Sequence, residues 1–529
     1  MEKLHQLLHS LQPNQVRVLK NYLTSFSSRN DPDSKSWELA EYVLSKTKKA
    51  PTLVQASHYL YGKKAINSIN RLKNRLFDKV LNSLLIDIST DAMTREDDTH
   101  PVQIRIRKKM LLFDLLKYTA TRGTVAVDMI QDVIKDAREY EFFPILIDAL
   151  TIYKPMISHL KSKREADKID SEITKYEKAK YYNIRAKDIV TELGQYSTFR
   201  TKLEKEKILN FLKDSIEELR GYYSEVGGRL LLDHLRTCEM ALLQVAGQLS
   251  EGISLAKEHV RFLESNKIID RKNRIGVWND YIAHLEIDNE NYDEAMKYLE
   301  KAASCFTSSP TNLAVNRSIQ MEVYFHKGNY DKALEISADL IENQAKVIGT
   351  FRRDTFIFFQ ASCYFMKKEY TRCNDLLNER FELTRDKLGW DLNIRFLRIM
   401  TMIEMGKPDL AMLQVDALRK NFERFQHRKD ITERDKMIIR LFFQMFLEGF
   451  AFQYPRNKTN ELLLKLKEKG KLYSWEALKP EKIPIHVWAL SRYQYKGVLP
   501  REEEEDDEED GEGKFGGKRR PAQKAKSNA

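Results

Sequence analysis

The chain is poor in the residues that break helices and in the patterns that build sheets. Thirteen prolines and twenty glycines are spread over 529 residues, and the Val-Ile-Thr alternation of strands is nearly missing. An almost wholly helical body is therefore expected. The four cysteines, Cys238, Cys305, Cys363 and Cys373, form no CxxC pair and fall on apolar helical stripes. They read as small core residues of a reducing compartment, with no disulfide framework expected. Long apolar runs are also missing. The most membrane-like window, Met437 to Phe452, is interrupted by Arg440, Gln444 and Glu448 at steps of four, which makes it a core helix with a wet face. Met1 to Leu11 includes Glu2, Lys3, His5 and His9 and has no apolar core of the secretory kind. A cytoplasmic protein without membrane contact is the expectation.

Signatures of catalysis are missing as well. There is no P-loop, no HExxH and no GxSxG elbow. Gly511 to Gly516 spells GxGxxG, but no strand precedes it and no apolar helix follows, so the dinucleotide reading fails its context. His5 and His9 share a helical spacing without a third ligand. No catalytic residue, cofactor or metal site is expected, and the chain reads as non-enzymatic.

What the sequence does contain is a phrase that returns four times. Asn291-Tyr292-Asp293-Glu294-Ala295, Asn329-Tyr330-Asp331-Lys332-Ala333, Glu369-Tyr370-Thr371-Arg372-Cys373 and Lys407-Pro408-Asp409-Leu410-Ala411 end at intervals of 38, 40 and 38 residues, the mark of stacked supersecondary units. After the first phrase Tyr292, Ala295, Met296, Leu299, Ala302, Ala303 and Phe306 make one apolar stripe. Upstream, Trp278, Tyr281, Ile282, Leu285 and Ile287 mark a partner helix, with Asp288 to Asn291 as the turn. Such a hairpin cannot bury both stripes alone and needs neighbours on each side. A weaker fifth unit has Leu249-Ser250-Glu251-Gly252 at its turn.

The phrase Gly328-Asn329-Tyr330-x-x-Ala333 resembles the middle of a tetratricopeptide repeat. Twelve residues before each alanine position, where that family places a small residue, stand Ala283, Met321, Ala361 and Ile399. Two match and two do not, so the repeats are divergent. The resemblance implies an all-α fold, a right-handed α-solenoid of tetratricopeptide-like helix hairpins, that binds a protein or peptide along a concave face lined by the first helices. Candidate groove residues are then Tyr281, His284, Ser318, Glu322, Phe358, Ser362 and Phe396. The family's carboxylate-gripping Lys and Asn are replaced by Asp280 and His284, Ser318 and Glu322, Phe358 and Ser362, and Phe396 and Met400. A groove for an apolar or extended peptide, or for another helix, is expected instead.

Around the repeats the chain divides into a helical cap (1–88), a helical region with a long charged hairpin (102–225), the repeats (226–428), closing helices with an aromatic arm (429–499) and a tail (500–529). In the cap, Ala65, Ile66, Ile69, Leu72, Leu76, Val80, Leu81 and Leu84 form an apolar stripe, and Lys63, Lys64, Arg71, Arg75 and Lys79 crowd the remaining surface beside Asn67, Ser68, Asn70 and Asn74. Its two readings are an amphipathic helix that packs the cap onto the repeat array and a nucleic-acid-binding helix. Leu8-His9-Ser10-Leu11 and Leu81-Asn82-Ser83-Leu84-Leu85 resemble the N-terminal region of a helical-repeat family of Bacteroidetes, which brings no activity with it. Tyr176, Tyr181, Tyr182 and Tyr196 on the charged hairpin are expected to pack on adjacent helices. From Pro500, ten acidic residues precede or interleave with seven basic ones, a composition that predicts a disordered tail. The leading reading is a protein-interaction scaffold; the alternative is a nucleic-acid-binding regulator whose repeats act as a sensor.

Overall fold

A computed structural model of the chain describes residues 1–24, 34–47, 49–86, 99–117, 124–160, 163–194, 202–306, 309–343, 345–379, 389–425, 431–468, 473, 475 and 480–493. These form 23 α-helices and, among the described residues, no strand. In chain order they are α1 (Glu2–His9), α2 (Pro13–Thr24), α3 (Ser34–Leu44), α4 (Leu53–Tyr61), α5 (Ile66–Ile86), α6 (Thr99–Lys117), α7 (Thr124–Glu139), α8 (Phe143–Leu160), α9 (Lys163–Leu193), α10 (Lys202–Val226), α11 (Arg229–Ala246) and α12 (Leu249–Ser265). The repeats follow as α13 (Arg271–Asp288), α14 (Tyr292–Cys305), α15 (Pro310–His326), α16 (Tyr330–Asn343), α17 (Ala345–Met366), α18 (Tyr370–Leu377), α19 (Trp390–Glu404) and α20 (Pro408–Phe425). The chain closes with α21 (Glu433–Leu447), α22 (Asn457–Lys467) and α23 (Ile485–Arg492). The expected tail lies outside the described residues.

From α6 onward each helix packs on the next, and α13, α15, α17 and α19 also pack on one another. That double neighbourhood makes a stacked array of hairpins. The recurring phrase starts the second helix of each hairpin, and its conformation explains the repeat. Glu290, Gly328, Lys368 and Gly406 take φ of 62°, 77°, 62° and 68°. The following N–H groups of Asn291, Asn329, Glu369 and Lys407 donate to carbonyls five residues back, at 2.8 to 3.0 Å. This is a Schellman stop: it satisfies carbonyls left open at the end of the first helix and turns the chain directly into the second. The same stop closes α11 at Gly247 and α7 at Glu141. The array therefore runs back to α7 and α8, beyond the four clear phrases.

The other phrase positions have structural work too. Ala295, Ala333, Cys373 and Ala411 are fully buried, as are Ala283, Ala361 and Ile399, with Met321 nearly so. Tyr292 stacks on His326 at 5.5 Å, while Tyr330 and Tyr370 meet Phe325 and Phe365 edge-on at 5.4 Å. Asp293 and Asp331 accept from Lys327 and Lys367 of the following hairpins. Gly276 allows a close approach between α13 and the end of α14: a Cβ there would lie 2.5 Å from the Phe306 ring.

The long charged hairpin is α9 and α10, and its seam shifts along α9. Ile169, Ile173, Tyr176 and Ala179 pack with α8, after which the seam moves to Ala186 and Ile189 against α10 and α11. Ile184 is exposed, because a straight helix drifts out of a fixed heptad register. Tyr176 and Tyr182 pack between helices, Tyr182 stacking on Tyr222 at 4.0 Å, while Tyr181 faces solvent. Tyr196 lies outside the described residues. Helix α22 begins at Asn457, after Arg456 as its extended N-cap. Thr459 in its first turn donates to Glu448.

Helices α1 to α5 enclose a separate core of Leu4, Leu8, Leu19, Leu23, Leu39, Val43, Ile69, Leu72, Leu76 and Val80. His5 and His9 bond the carbonyls of Lys46 and Val43, fastening α1 to the end of α3.

Candidate functional site

The first helices of successive hairpins present one face toward a common groove, and that groove holds a stretch of the chain itself. Residues 480–493 cross α15, α17, α19 and α21. Pro484 stops the extended part and leads into α23, where its missing N–H is no loss. Lys482, with its side chain 5 % exposed, gives a two-pronged contact to Glu322 of α15 at 2.8 and 2.9 Å. Ile483 and Ile485 are buried, lying with Pro480 against Phe358 and Ser362 of α17 and Asn393, Phe396, Leu397 and Met400 of α19. The space left between them is about 10 Å³, the limit for one water.

Ions and aromatic rings complete the seating. Arg434 of α21 grips Glu481 with two N–H···O contacts at 2.5 and 2.7 Å and donates to the Tyr473 carbonyl at 2.7 Å. Both ions of this pair are buried, so each depends on the other to offset its desolvation. The Ile485 N–H also donates to Glu481 at 2.8 Å, beginning α23. Trp488 donates to Glu404 at 2.8 Å and Tyr493 to Glu448 at 2.7 Å. Trp475 rests edge-on against His326 at 5.5 Å and donates to the Glu481 carbonyl.

The electrostatics of the groove follow from burial. Burial pushes the Asp435 carboxyl up to about 7, with the Glu481 charge adding to it. Burial, then the Arg434 charge, holds the His486 imidazole down at about 4. Further along, burial raises Asp280 to about 7 although Asn316 donates to it at 2.7 Å, and lowers His284 to about 4. Near neutral pH the two imidazoles are therefore uncharged, and the two carboxyls keep their protons far longer than exposed ones do. A different cluster, Asp233, is bonded by His259, Trp278 and Arg274. Burial alone would raise its carboxyl, but those partners hold it at about 2, tying α11, α12 and α13 together.

Of the seven candidate groove residues, Glu322 meets Lys482 directly, and Phe358, Ser362 and Phe396 lie beneath residues 480–485. Ser362 and Ser318 donate to carbonyls of their own helices, Phe358 and Val315. Tyr281 packs edge-on against Trp278 at 5.4 Å in the core between α12 and α13, and burial pushes its phenol up to about 12. Spacing alone did not reveal Arg434, Glu404 and Glu448. Arg434 stands among other charged residues in the first turn of α21, and Glu404 and Glu448 stand at the C-terminal ends of α19 and α21, so nothing in the local pattern singles them out.

The candidate basic residues lie in α5 and the turn before it. Lys63, Lys64, Arg71 and Arg75 are exposed, whereas Lys79 is half-buried. Among the described residues, no three His, Cys, Asp or Glu side chains are grouped to hold a metal, and no helix is long and apolar enough to cross a membrane.

No family model matches the chain, and no curated protein matches it. Among solved structures it is similar to a Signal Transduction ATPase with Numerous Domains protein with a tetratricopeptide repeat sensor, from Pyrococcus horikoshii. The identity is 12%, the match covers 87% of this chain and 63% of that one, and the TM-score is 0.26. The chain thus spans less than two thirds of that protein's length. The helical-repeat fold itself stands on the hairpins and their shared turn.

Proposed function

We propose that the chain is a cytoplasmic, non-enzymatic protein-interaction scaffold whose groove binds a short segment of mixed character, part extended and part helical. The observation that carries this reading is that residues 480–493 already lie across four first helices, with Lys482 on Glu322 and Glu481 on Arg434. The segment defines what the groove accepts: an acid and a base side by side, then Ile-Pro-Ile, then an aromatic ring three residues on. A partner carrying that pattern competes with the chain's own copy, so the scaffold opens only to a segment that binds better.

The test uses the full chain and a labelled peptide of residues 473–493. In the Lys482→Glu/Trp488→Ala variant the internal copy is repelled by Glu322 and loses its ring. This variant is expected to bind the wild-type peptide about tenfold more tightly than the wild type does, because a competing closed state is removed. Equal binding, or loss of the repeats' helicity together with the segment, would mean that the segment is part of the core, and the reading would be abandoned.

A further inference from the structure

The face of α5 turned away from its bundle has the composition of a surface that reads DNA. Helix α4 ends at Tyr61, Gly62 after it lies in the left-handed region with φ of 65°, and α5 starts at Ile66. The four-residue turn is held by Ser57, whose hydroxyl donates to the Lys63 carbonyl at 2.8 Å and accepts from the Ala65 N–H at 2.6 Å. A turn of this length containing glycine is the kind that joins the two helices of a helix-turn-helix. The second helix is fixed from behind by Ile69, Leu72, Leu76 and Val80, which are buried against α1 to α4.

The turn carries Lys63 and Lys64, and the outer face of α5 carries Asn67, Ser68, Arg71, Asn74 and Arg75, all exposed. No ion pair joins Lys63, Lys64, Arg71 or Arg75 to a described carboxylate. The sequence explains why: between Glu41 and Asp78 there is no acidic residue, in a chain with 78 of them. On the repeats the basic residues are matched differently, as with Lys297 on Glu294 and Lys367 on Asp331. A merely solvated face has no need to exclude carboxylates. A face meeting phosphates does, because like charges would repel the backbone.

We propose that the first three turns of α5 enter the major groove of duplex DNA. Lys63 and Lys64, at the helix N-terminus where the dipole also favours anions, lie toward phosphates. Arg71, Arg75 and the amides of Asn67 and Asn74 face base edges, since guanidinium pairs with guanine and carboxamide with adenine. Duplex RNA is the wrong shape, its major groove being too deep and narrow for a helix. This function is separate from that of the repeat groove, and neither requires the other.

Binding of the full chain to a mixed-sequence duplex is measured by fluorescence anisotropy at several salt concentrations. Two variants are compared: Lys63→Gln/Lys64→Gln at the start of α5 and Lys297→Gln/Lys301→Gln on α14, which remove equal charge. The α5 variant is expected to lose at least about tenfold in affinity at about 50 mM salt, with the slope of log affinity against log salt shallower by about 2. The α14 variant is expected to match the wild type. All four residues are exposed, and circular dichroism verifies that both variants keep their helices. The proposal is overturned by no binding of the wild type at that salt, by equal losses in the two variants, or by equal affinity for duplex RNA.

Discussion

Asp435 stands at the first turn of α21, between the Thr432 cap and the groove. Its carboxylate accepts the Thr432 hydroxyl at 2.6 Å, and the Thr432 side chain accepts the Asp435 N–H at 2.9 Å. Arg434 and Glu481 are the charged groups acting on it, and Glu481 pushes in the same direction as burial. An unfolded carboxyl ionises near about 4, whereas this one ionises at about 7 when folded. The folded state therefore holds its proton longer, and Asp435 withdraws stability as pH rises from about 4 to 7. Asp435→Asn keeps an acceptor for Thr432 and cannot ionise. Its melting temperature, relative to the wild type, is expected to rise steadily across that window. A difference independent of pH would show that the carboxyl is not held neutral.

At the scale of elements, the hairpin joint depends on one left-handed residue, supplied by glycine at Gly328 and Gly406 but by Glu290 and Lys368 elsewhere. A side chain there costs about 1–2 kcal/mol, while glycine adds roughly 0.4–1 kcal/mol of unfolded-chain entropy. Gly328→Ala is expected to lower stability by about 1 kcal/mol, and Lys368→Gly to raise it by about 0.5 kcal/mol, both in urea unfolding. Changes of the same sign would refute the shared joint. The repeats were legible because Tyr330 and Ala333 fall at fixed offsets from that joint. The α7–α8 joint at Glu141 was less legible, since neither glycine nor tyrosine marks it. The groove's faces could be placed by register from Ala333. Their occupant could not, because Lys482 and Glu322 are 160 residues apart and no local pattern links them. The sequence did suggest an aromatic arm packed on the body, but not the surface that Trp475 and Trp488 would choose.

The whole molecule has two kinds of cohesion. Helices α1 to α5 close their own core, centred on Ile69 and Leu76, and their substantial packing is with one another. The array from α6 to α23 shares its cores from hairpin to hairpin. Removal of residues 1–98 is therefore expected to leave the thermal transition of the remainder within about 2 °C of its place in the full chain, a shift worth less than about 1 kcal/mol. A larger fall would reveal dependence on the bundle. Within the array, the Lys482–Glu322 contact joins a segment near one end to a hairpin near the middle. A solenoid held only by neighbour contacts grows as it is made, but this groove cannot be filled until its last piece exists. At about 5–20 residues per second, translation delivers Lys482 roughly 10–30 s after Glu322. For the later part of that interval, once Phe358 and Phe396 are made, the nascent chain offers both rings bare to its surroundings, so the closing segment acts in time as well as in space, as the chain's own late-arriving chaperone.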